Sequence, residues 1–387
     1  MDLRHPPPQI PRAMAFSDVL PDLLTRPSPL MERFQQLVSE ETSDPLDDLV
    51  RRSQETTRRH FGKAMRLFAP LYMSNECVNN CTYCGFSRDA GIIRTTLTVD
   101  QVVAEARHLH GLGFREVLLV AGEHPRFVSE GYLQACLDAL KAFIPTLVLE
   151  VGPMEDDQYA EVVRHGAQGL VVYQETYHRE TYQRLHTSGP KRRFDWRLDC
   201  PERAHAGGFR RIGLGALFGL ANWSFESLAL CAHLEYLHQH CGDARFTVAF
   251  PRMRPYAGNY EYQPDPDLYL PDEAFVRLIA AFRLLFPQVG IVVSTREPAP
   301  LRDAIAPLGV THMSAGAKTE PGGYTGAGRD DLHRTLKGRR VELPNRSGGE
   351  RATEQFRIND TRGPAEVAAM LRALDLDPLW EGGSAMG

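Results

Sequence analysis

Along this chain, hydrophobic and polar positions alternate in a repeating beat: a short apolar run, a polar turn, then a stretch with apolar residues at helical spacing. The apolar runs are LFAPLYMSN (67–75), EVLLVAGE (116–123), LVLEVGP (147–153), GLVVYQET (169–176), RIGLGALFGL (211–220), RFTVAFPRMRP (245–255), GIVVSTRE (290–297) and THMSAGAK (311–318). Their near-continuous apolar character suits strands of a parallel sheet buried on both faces. Between them lie amphipathic segments. One opens at Thr98 with Gln101 in a capping-box pattern and carries Val102, Val103, Ala106 and Leu109 on one face. Another, 272–287, opens on acidic residues and closes at Pro287. Eight such repeats predict an α/β fold, a (β/α)8 TIM-type barrel.

The flanks break the beat. Residues 1–30 are rich in proline with little periodicity and predict a poorly ordered arm, while 31–64 predict helices. Beyond residue 320, PGGYTGAG and the basic KGRRVELPNRSGGERAT predict mobile loop. AEVAAMLRALDL (365–376) predicts a last helix, and Pro378-Leu379-Trp380 a short strand or tail. The expected division is 1–65 as N-terminal arm and helices, 66–320 as the barrel, and 321–387 as a loop and helix closing it.

Composition narrows the function. The 387 residues, 43% hydrophobic and 24% charged, predict a soluble globular protein, and one barrel consumes most of that length. A formal net charge of -5 gives a nucleic-acid partner no electrostatic support. No apolar stretch is long enough to span a membrane. The N-terminal MDLRHPPPQIPRAM lacks the apolar core of a signal peptide, so the expected compartment is the cytoplasm.

Three cysteines change the picture most. Cys77, Cys81 and Cys84 stand in SNECVNNCTYCGF at C-x3-C-x2-C spacing. A cubane iron–sulfur cluster usually takes four thiolates; three leave one iron open to bind and activate a substrate. Structural zinc needs four ligands, usually in two pairs. Cys136, Cys200, Cys231 and Cys241 stand alone, and suit core positions or inert thiols better than a second pair. An open iron points to an enzyme with a 4Fe-4S cluster rather than to a non-catalytic iron–sulfur carrier, which would need a fourth ligand.

In a barrel of this kind, chemistry gathers where strands end. The apolar runs finish in unusual polar groups: Gly122-Glu123-His124, Gln174-Glu175-Thr176, Arg252 and Arg254, Thr295-Arg296-Glu297, and Ser314 to Lys318. Arg296 offers a fork for a carboxylate, and Ser314 a hydroxyl. Glu175, Tyr177, His124 and Glu320 are candidate proton acceptors. Bland roles compete: a turn hydrogen bond for His124, and ion pairs of Arg252 and Arg254 with Glu175 or Glu297.

The cysteine motif after a first barrel strand resembles the radical SAM superfamily, which implies S-adenosylmethionine (SAM) on the open iron, cleaved reductively to a 5′-deoxyadenosyl radical. Gly122-Glu123 resembles that family's GGE motif, with Ala121 in place of the first glycine. WRLDCPERAHAGGFRRIGLGALFGL (196–220) resembles the segment shared by biotin synthase and aromatic-amino-acid lyases. The resemblance implies SAM contacts at Tyr83, Gly122, Glu123, Arg197, Leu214 and Gly215.

APLYMSNECVNNCTYCGFS, LLVAGEHP, VVYQETYH, GLGALFGL, FPRMRP, STREP, KTEPGGY and EQFRINDTRGPAEVAAMLRALDLDPLW resemble, in order, the tyrosine lyases of thiamine biosynthesis, the 2-iminoacetate synthases. That resemblance implies cleavage of the Cα–Cβ bond of L-tyrosine to 2-iminoacetate and 4-cresol. It points to Arg296 for the substrate, to which Ser314, by its place at a strand end, adds a hydroxyl donor, and implies thiazole synthase as partner and a reductant such as flavodoxin or ferredoxin. A tryptophan lyase shares the barrel, the cluster and the STRE-type arginine. The tyrosine lyase of hydrogenase maturation needs further C-terminal cysteines, and no cysteine follows Cys241.

Overall fold

Successive side chains of a strand point to opposite faces, and this rule organises the barrel. The structure, a computed structural model, describes residues 14–39, 44–336, 339–343 and 349–380. Eight parallel strands are β1 (Ala64–Ser74), β2 (Glu116–Ala121), β3 (Thr146–Glu150), β4 (Gly169–Glu175), β5 (Arg211–Ala216), β6 (Arg245–Ala249), β7 (Gly290–Val293) and β8 (His312–Ser314). They follow one another in sequence order around the sheet, and β8 pairs with β1 (Leu67 opposite Met313) to close it. The expected (β/α)8 barrel is the fold. Each strand stops before its apolar run ends, most clearly at 217–220 and 250–255, which are loops over the barrel mouth.

The outward positions, among them Leu67, Ala69, Leu71, Val117, Leu119, Leu149, Ile212, Leu214 and Val248, are buried beneath the helices in one large apolar core. The inward positions form layers. Arg66, Glu116, Thr146, Arg211, Arg245 and His312 lie at the N-terminal end. Phe68, Leu118, Tyr173, Ala249 and Val292 cross the middle, and Glu150, Glu175, Arg296 and Ser314 stand at the C-terminal end.

The N-terminal arm departs from expectation. Residues 1–13 lie outside the described residues, but Phe16–Thr25 is a helix. Phe16 is fully buried, its ring stacked on His233 at 4.1 Å, and Ser17 bonds Asp199 through both backbone and hydroxyl. The helices Pro29–Val38 and Leu46–Phe61 pack on Asp272–Leu285. Prolines hid the first helix because only a few apolar positions are needed to dock so short an element.

The segment after residue 320 also departs from a mobile loop, apart from 337–338 and 344–348, which lie outside the described residues. His333–Leu336 (β9) and Arg339–Glu342 (β10) form an antiparallel hairpin. His333 is buried, and its Nε2 meets Glu76 Oε1 at 2.6 Å, so a tertiary contact orders a stretch whose composition reads as loop. The last helix is Pro364–Ala373, and Asp377–Leu379 (β11) adds a parallel strand beside the start of β1.

Candidate active site

The cysteine loop leaves β1 at Ser74 and is shaped chiefly by Arg94. This guanidinium, fully buried, donates to the carbonyls of Asn75, Phe86, Ser87, Arg88 and Ala90. A planar fork with five donors is suited to collecting several carbonyls. The Asn75 amide donates to the carbonyls of Ile93 and Thr353, and its oxygen accepts from the Thr95 N–H. Gly122 lies against this loop: a Cβ there would stand 2.3 Å from the Glu76 carbonyl oxygen, so the end of β2 requires glycine. Asn79 Nδ2 donates to Glu123 Oε2 at 2.7 Å, joining the loop to the Gly-Glu end of β2.

Burial and then the neighbouring Cys84 push the Cys77 thiol up; burial does the same for Cys81, with Cys84 and Cys77 adding to it. The three thiols are thus within electrostatic reach of one another. The Asn79 N–H donates to Cys77 Sγ at 3.4 Å and Gln355 Nε2 to Cys84 Sγ at 3.5 Å. Among the described residues, no group of three His, Cys, Asp or Glu side chains is drawn together around a single metal ion. Three thiols on one short loop, within electrostatic reach of one another, fit a cluster that takes one thiolate per iron.

Next to the loop, the strand ends enclose a cavity of about 140 Å³, lined among others by Tyr83, Cys84, Glu150, Glu175, Arg296 and Ser314. Tyr83 is held by its hydroxyl to His186 Nε2 at 2.7 Å. Burial keeps that imidazole at about 3, hence neutral. Arg296 is stacked on Phe356, its guanidinium carbon 3.4 Å from the ring centroid, and it takes part in none of the ion pairs found among the described residues. Burial lowers its pKa, with Tyr72 and Glu150 opposing that. Ser314 Oγ accepts from the Thr295 N–H at 3.0 Å, which leaves its proton to donate into the cavity.

Glu175 has φ 74, the left-handed region that a non-glycine residue enters at a cost. Its carboxylate binds Lys191 Nζ at 2.7 Å and Arg197 Nη2 at 3.3 Å. Burial favours the acid form, but Lys191 and Arg197 outweigh it and hold Glu175 ionised. Arg197 Nε also donates to the Tyr173 carbonyl at 2.7 Å. Gly215 presents bare backbone on the inner face: a Cβ would meet the Tyr173 ring at 2.7 Å. Leu214 points the other way, into the outer core.

Three of the four candidate proton acceptors fall outside the cavity lining. Tyr177 turns away from the barrel, its hydroxyl 2.9 Å from His233 Nδ1 and its N–H on Glu226. It follows a strand end, but the chain has already turned under the helix Trp223–His240. His124 Nδ1 accepts from the N–H groups of Arg126 and Phe127, the competing turn role. Glu320 caps Thr319 beside Gly323 and is also absent from the lining. Arg252 and Arg254 both reach Glu297, as the ion-pair alternative expects, whereas Glu175 pairs elsewhere.

Two cavity residues escape sequence reasoning. Glu150 ends β3, and burial followed by the charge of Glu175 pushes its carboxyl up to about 7. The run LVLEVGP does carry a lone acid at a strand end, which is the signal that marks it. Lys191 lies between Glu175 and the Tyr83 ring, 5.7 Å from the latter's centroid, and its stretch has no strand signal.

A closed parallel barrel whose first strand runs into a three-thiol loop defines the class, a radical SAM barrel, and the profile of the Radical SAM superfamily matches residues 71–232. That of the Biotin and Thiamin Synthesis associated domain matches 249–377. The chain is 40% identical over 346 residues to the 2-iminoacetate synthase of Escherichia coli, covering 89% of this chain and 85% of that one. Against the 2-iminoacetate synthase of Salmonella typhimurium it is 38% identical with the same coverage. The FeFe-hydrogenase maturase HydG from Carboxydothermus hydrogenoformans superposes with a TM-score of 0.78 at 32% identity, over 94% of this chain and 79% of that one. The chain belongs to the 2-iminoacetate synthase family of radical SAM enzymes. Membership implies a 4Fe-4S cluster and SAM. No helix among the described residues is long and apolar enough to cross a membrane.

Proposed function

We propose that this protein cleaves the Cα–Cβ bond of L-tyrosine, giving 2-iminoacetate and 4-cresol for assembly of the thiamine thiazole ring. The observation that carries the reading is Arg296: a guanidinium at a strand end, facing a buried cavity beside the cysteine loop, stacked on Phe356 and engaged in no ion pair among the described residues. Its fork suits the carboxylate of a free amino acid, with the Ser314 hydroxyl as a further donor.

Cys77, Cys81 and Cys84 would hold one 4Fe-4S cluster, which with SAM bound would supply a carbon radical by one-electron reduction. The chain's own residues bind and position. Asn79 and Glu123 fix the loop against the end of β2, where Gly122 and Glu123 would hold the methionine end of SAM. Nη1 of Arg197, the guanidinium nitrogen with no bond among the described residues, is the contact for the SAM carboxylate. Tyr83, fixed by His186, and the bare backbone of Leu214-Gly215 would hold the adenosine.

Arg296 and Ser314 hold the substrate carboxylate, so that the amino group faces the radical carbon. Orientation at a near-attack distance of about 3–3.5 Å decides which hydrogen is taken. Glu150 accepts the proton that leaves the substrate, since a carboxyl poised at about 7 exchanges protons near neutrality. Glu175 stays ionised between Lys191 and Arg197, and so positions rather than titrates. Thiazole synthase receives the imine, and flavodoxin or ferredoxin delivers the electron.

Anaerobic reconstitution with iron, sulfide, SAM and reductant, followed by product analysis with tyrosine and with tryptophan, tests the reading. The expected products are deoxyadenosine and 4-cresol from tyrosine. Deoxyadenosine without 4-cresol, or an indole product from tryptophan alone, would overturn the substrate.

A further inference from the structure

The cysteine loop rests on a late segment of the chain, 353–356. The Thr353 N–H donates to the Ile93 carbonyl at 2.9 Å, and the Thr353 carbonyl accepts from Asn75 Nδ2 at 3.2 Å. Two residues on, the Gln355 N–H donates to the Thr319 carbonyl at 2.9 Å. The loop makes room for this segment at Gly85, where a Cβ would overlap the Gln355 carbonyl oxygen. Glycine directly after Cys84 is therefore what lets the backbone of residue 355 close on the loop.

The side chain brought in by that approach bridges two groups. Gln355 Nε2 donates to Cys84 Sγ at 3.5 Å, and Gln355 Oε1 accepts from the Tyr72 hydroxyl at 2.9 Å. Chemistry fixes this order of donors. A thiolate has no proton to give, so the nitrogen end of the amide faces sulfur and the oxygen end is left to accept. Tyr72 has the proton that is needed, because burial pushes its pKa well above the usual phenol value. Its ring meets Phe86 of the cysteine loop edge-on, with centroids 5.8 Å apart. Hydrogen bonds in such a chain polarise one another. Cys77, by contrast, takes a bond from the backbone N–H of Asn79.

We propose that Gln355 raises the reduction potential of the cluster that Cys77, Cys81 and Cys84 would hold, through its hydrogen bond to the Cys84 sulfur, with Tyr72 orienting the amide. One-electron reduction adds negative charge to a cluster and its thiolates. A donor aimed at a thiolate favours the more negative state, and hydrogen bonds to cluster sulfurs are among the levers that set the potential. Gln355 is a positioning residue that acts through Cys84 on electron entry, while the next residue, Phe356, carries the stack of Arg296. The inference rests on the cluster and stands apart from the identity of the amino acid cleaved.

The test is an anaerobic redox titration of the reconstituted full-length chain, without SAM or substrate, followed by the EPR signal of the reduced cluster. Gln355→Met keeps the length of the side chain and removes the N–H. Its midpoint should be more negative than that of the wild type by about tenfold in the reduction equilibrium, or about 59 mV for one electron. Tyr72→Phe releases the amide oxygen, and should move the midpoint the same way by less. Phe86→Leu alters the packing beside Tyr72 without removing either bond, and should leave the midpoint in place. In D2O, electron–nuclear double resonance of the reduced cluster should show one exchangeable deuteron coupling that Gln355→Met lacks. An unchanged midpoint in Gln355→Met would overturn the proposal. So would an equal shift in Phe86→Leu, which traces the effect to packing. A shift in Gln355→Met alone would overturn the orienting role of Tyr72. Should Gln355→Met fail to take up iron, Tyr72→Phe decides, and an unchanged midpoint there overturns the proposal. 4-Cresol release, assayed separately with SAM and tyrosine, reports on the lyase reading alone, so the two failures are told apart.

Discussion

Asn79 Nδ2 and Glu123 Oε2 meet at 2.7 Å, and this one bond ties the loop that carries the cysteines to the Gly-Glu end of the second strand. Two segments more than forty residues apart thereby share one position. Asn79 also accepts the Lys191 N–H through its oxygen, at 2.9 Å, so its amide is engaged at both ends. Asn79→Ala removes both bonds. A hydrogen bond to a charged group contributes about 1.5–3 kcal/mol, so SAM affinity, read by equilibrium dialysis on the reconstituted protein, should fall roughly tenfold or more. Iron and sulfide content should be retained.

The seven cysteines divide into two kinds. Replacing Cys77, Cys81 or Cys84 by serine should abolish the visible absorbance and the EPR signal of the reduced cluster. Cys136, Cys200, Cys231 and Cys241 are buried, and Cys200 bonds Tyr159 at 2.8 Å away from the cavity. Alanine at any of these four should leave the cluster intact and change only the melting temperature.

Arg296 offers a direct test of substrate anchoring. Lysine keeps the charge but loses the bidentate fork and the flat stack on Phe356. Arg296→Lys should lower kcat/KM for tyrosine by about 10²-fold, equivalent to roughly 2.7 kcal/mol. Slow SAM cleavage uncoupled from 4-cresol should persist, measured as the ratio of deoxyadenosine to 4-cresol.

Glu150 predicts a pH dependence. The charged groups around it are Glu175, Arg296, Arg197 and Lys191, with Glu175 raising its pKa and the three cations opposing that. As the base, it works when ionised, so kcat/KM should rise with pH through about 7. Glu150→Gln should remove that limb and lower the plateau by about 10²-fold. Stability moves the other way. The folded carboxyl keeps its proton up to about 7 while the unfolded one loses it near 4.5, so this group's contribution is complete below 4.5 and lost as pH rises to about 7. Glu150→Gln should flatten that slope, seen in urea midpoints across the interval.

Much of the chain was legible in order and little of it in depth. The beat of apolar runs marks all eight barrel strands, because a parallel sheet buried on both faces leaves a continuous apolar signature. The helix after Thr98 was legible to its cap, since a capping box is local. The cysteine spacing likewise lies within eight residues. The arm and the segment after residue 320 were misjudged because proline, glycine and arginine describe local propensity, whereas Phe16 and His333 are ordered by partners more than 180 residues away.

By itself, then, the sequence determined the strand count, the thiol triplet and the family, all properties of short windows read in order. Only the tertiary structure decided which strand-end groups meet. It turned Tyr177 and His124 out of the cavity, brought in Glu150 and Lys191, and paired Glu175 with two cations. It also set Arg66, Arg211 and Arg245 around the far end of the barrel. The reason is geometric: the inward face of each strand is every second residue, and which inward residues share a layer depends on the register between strands, which no single window contains.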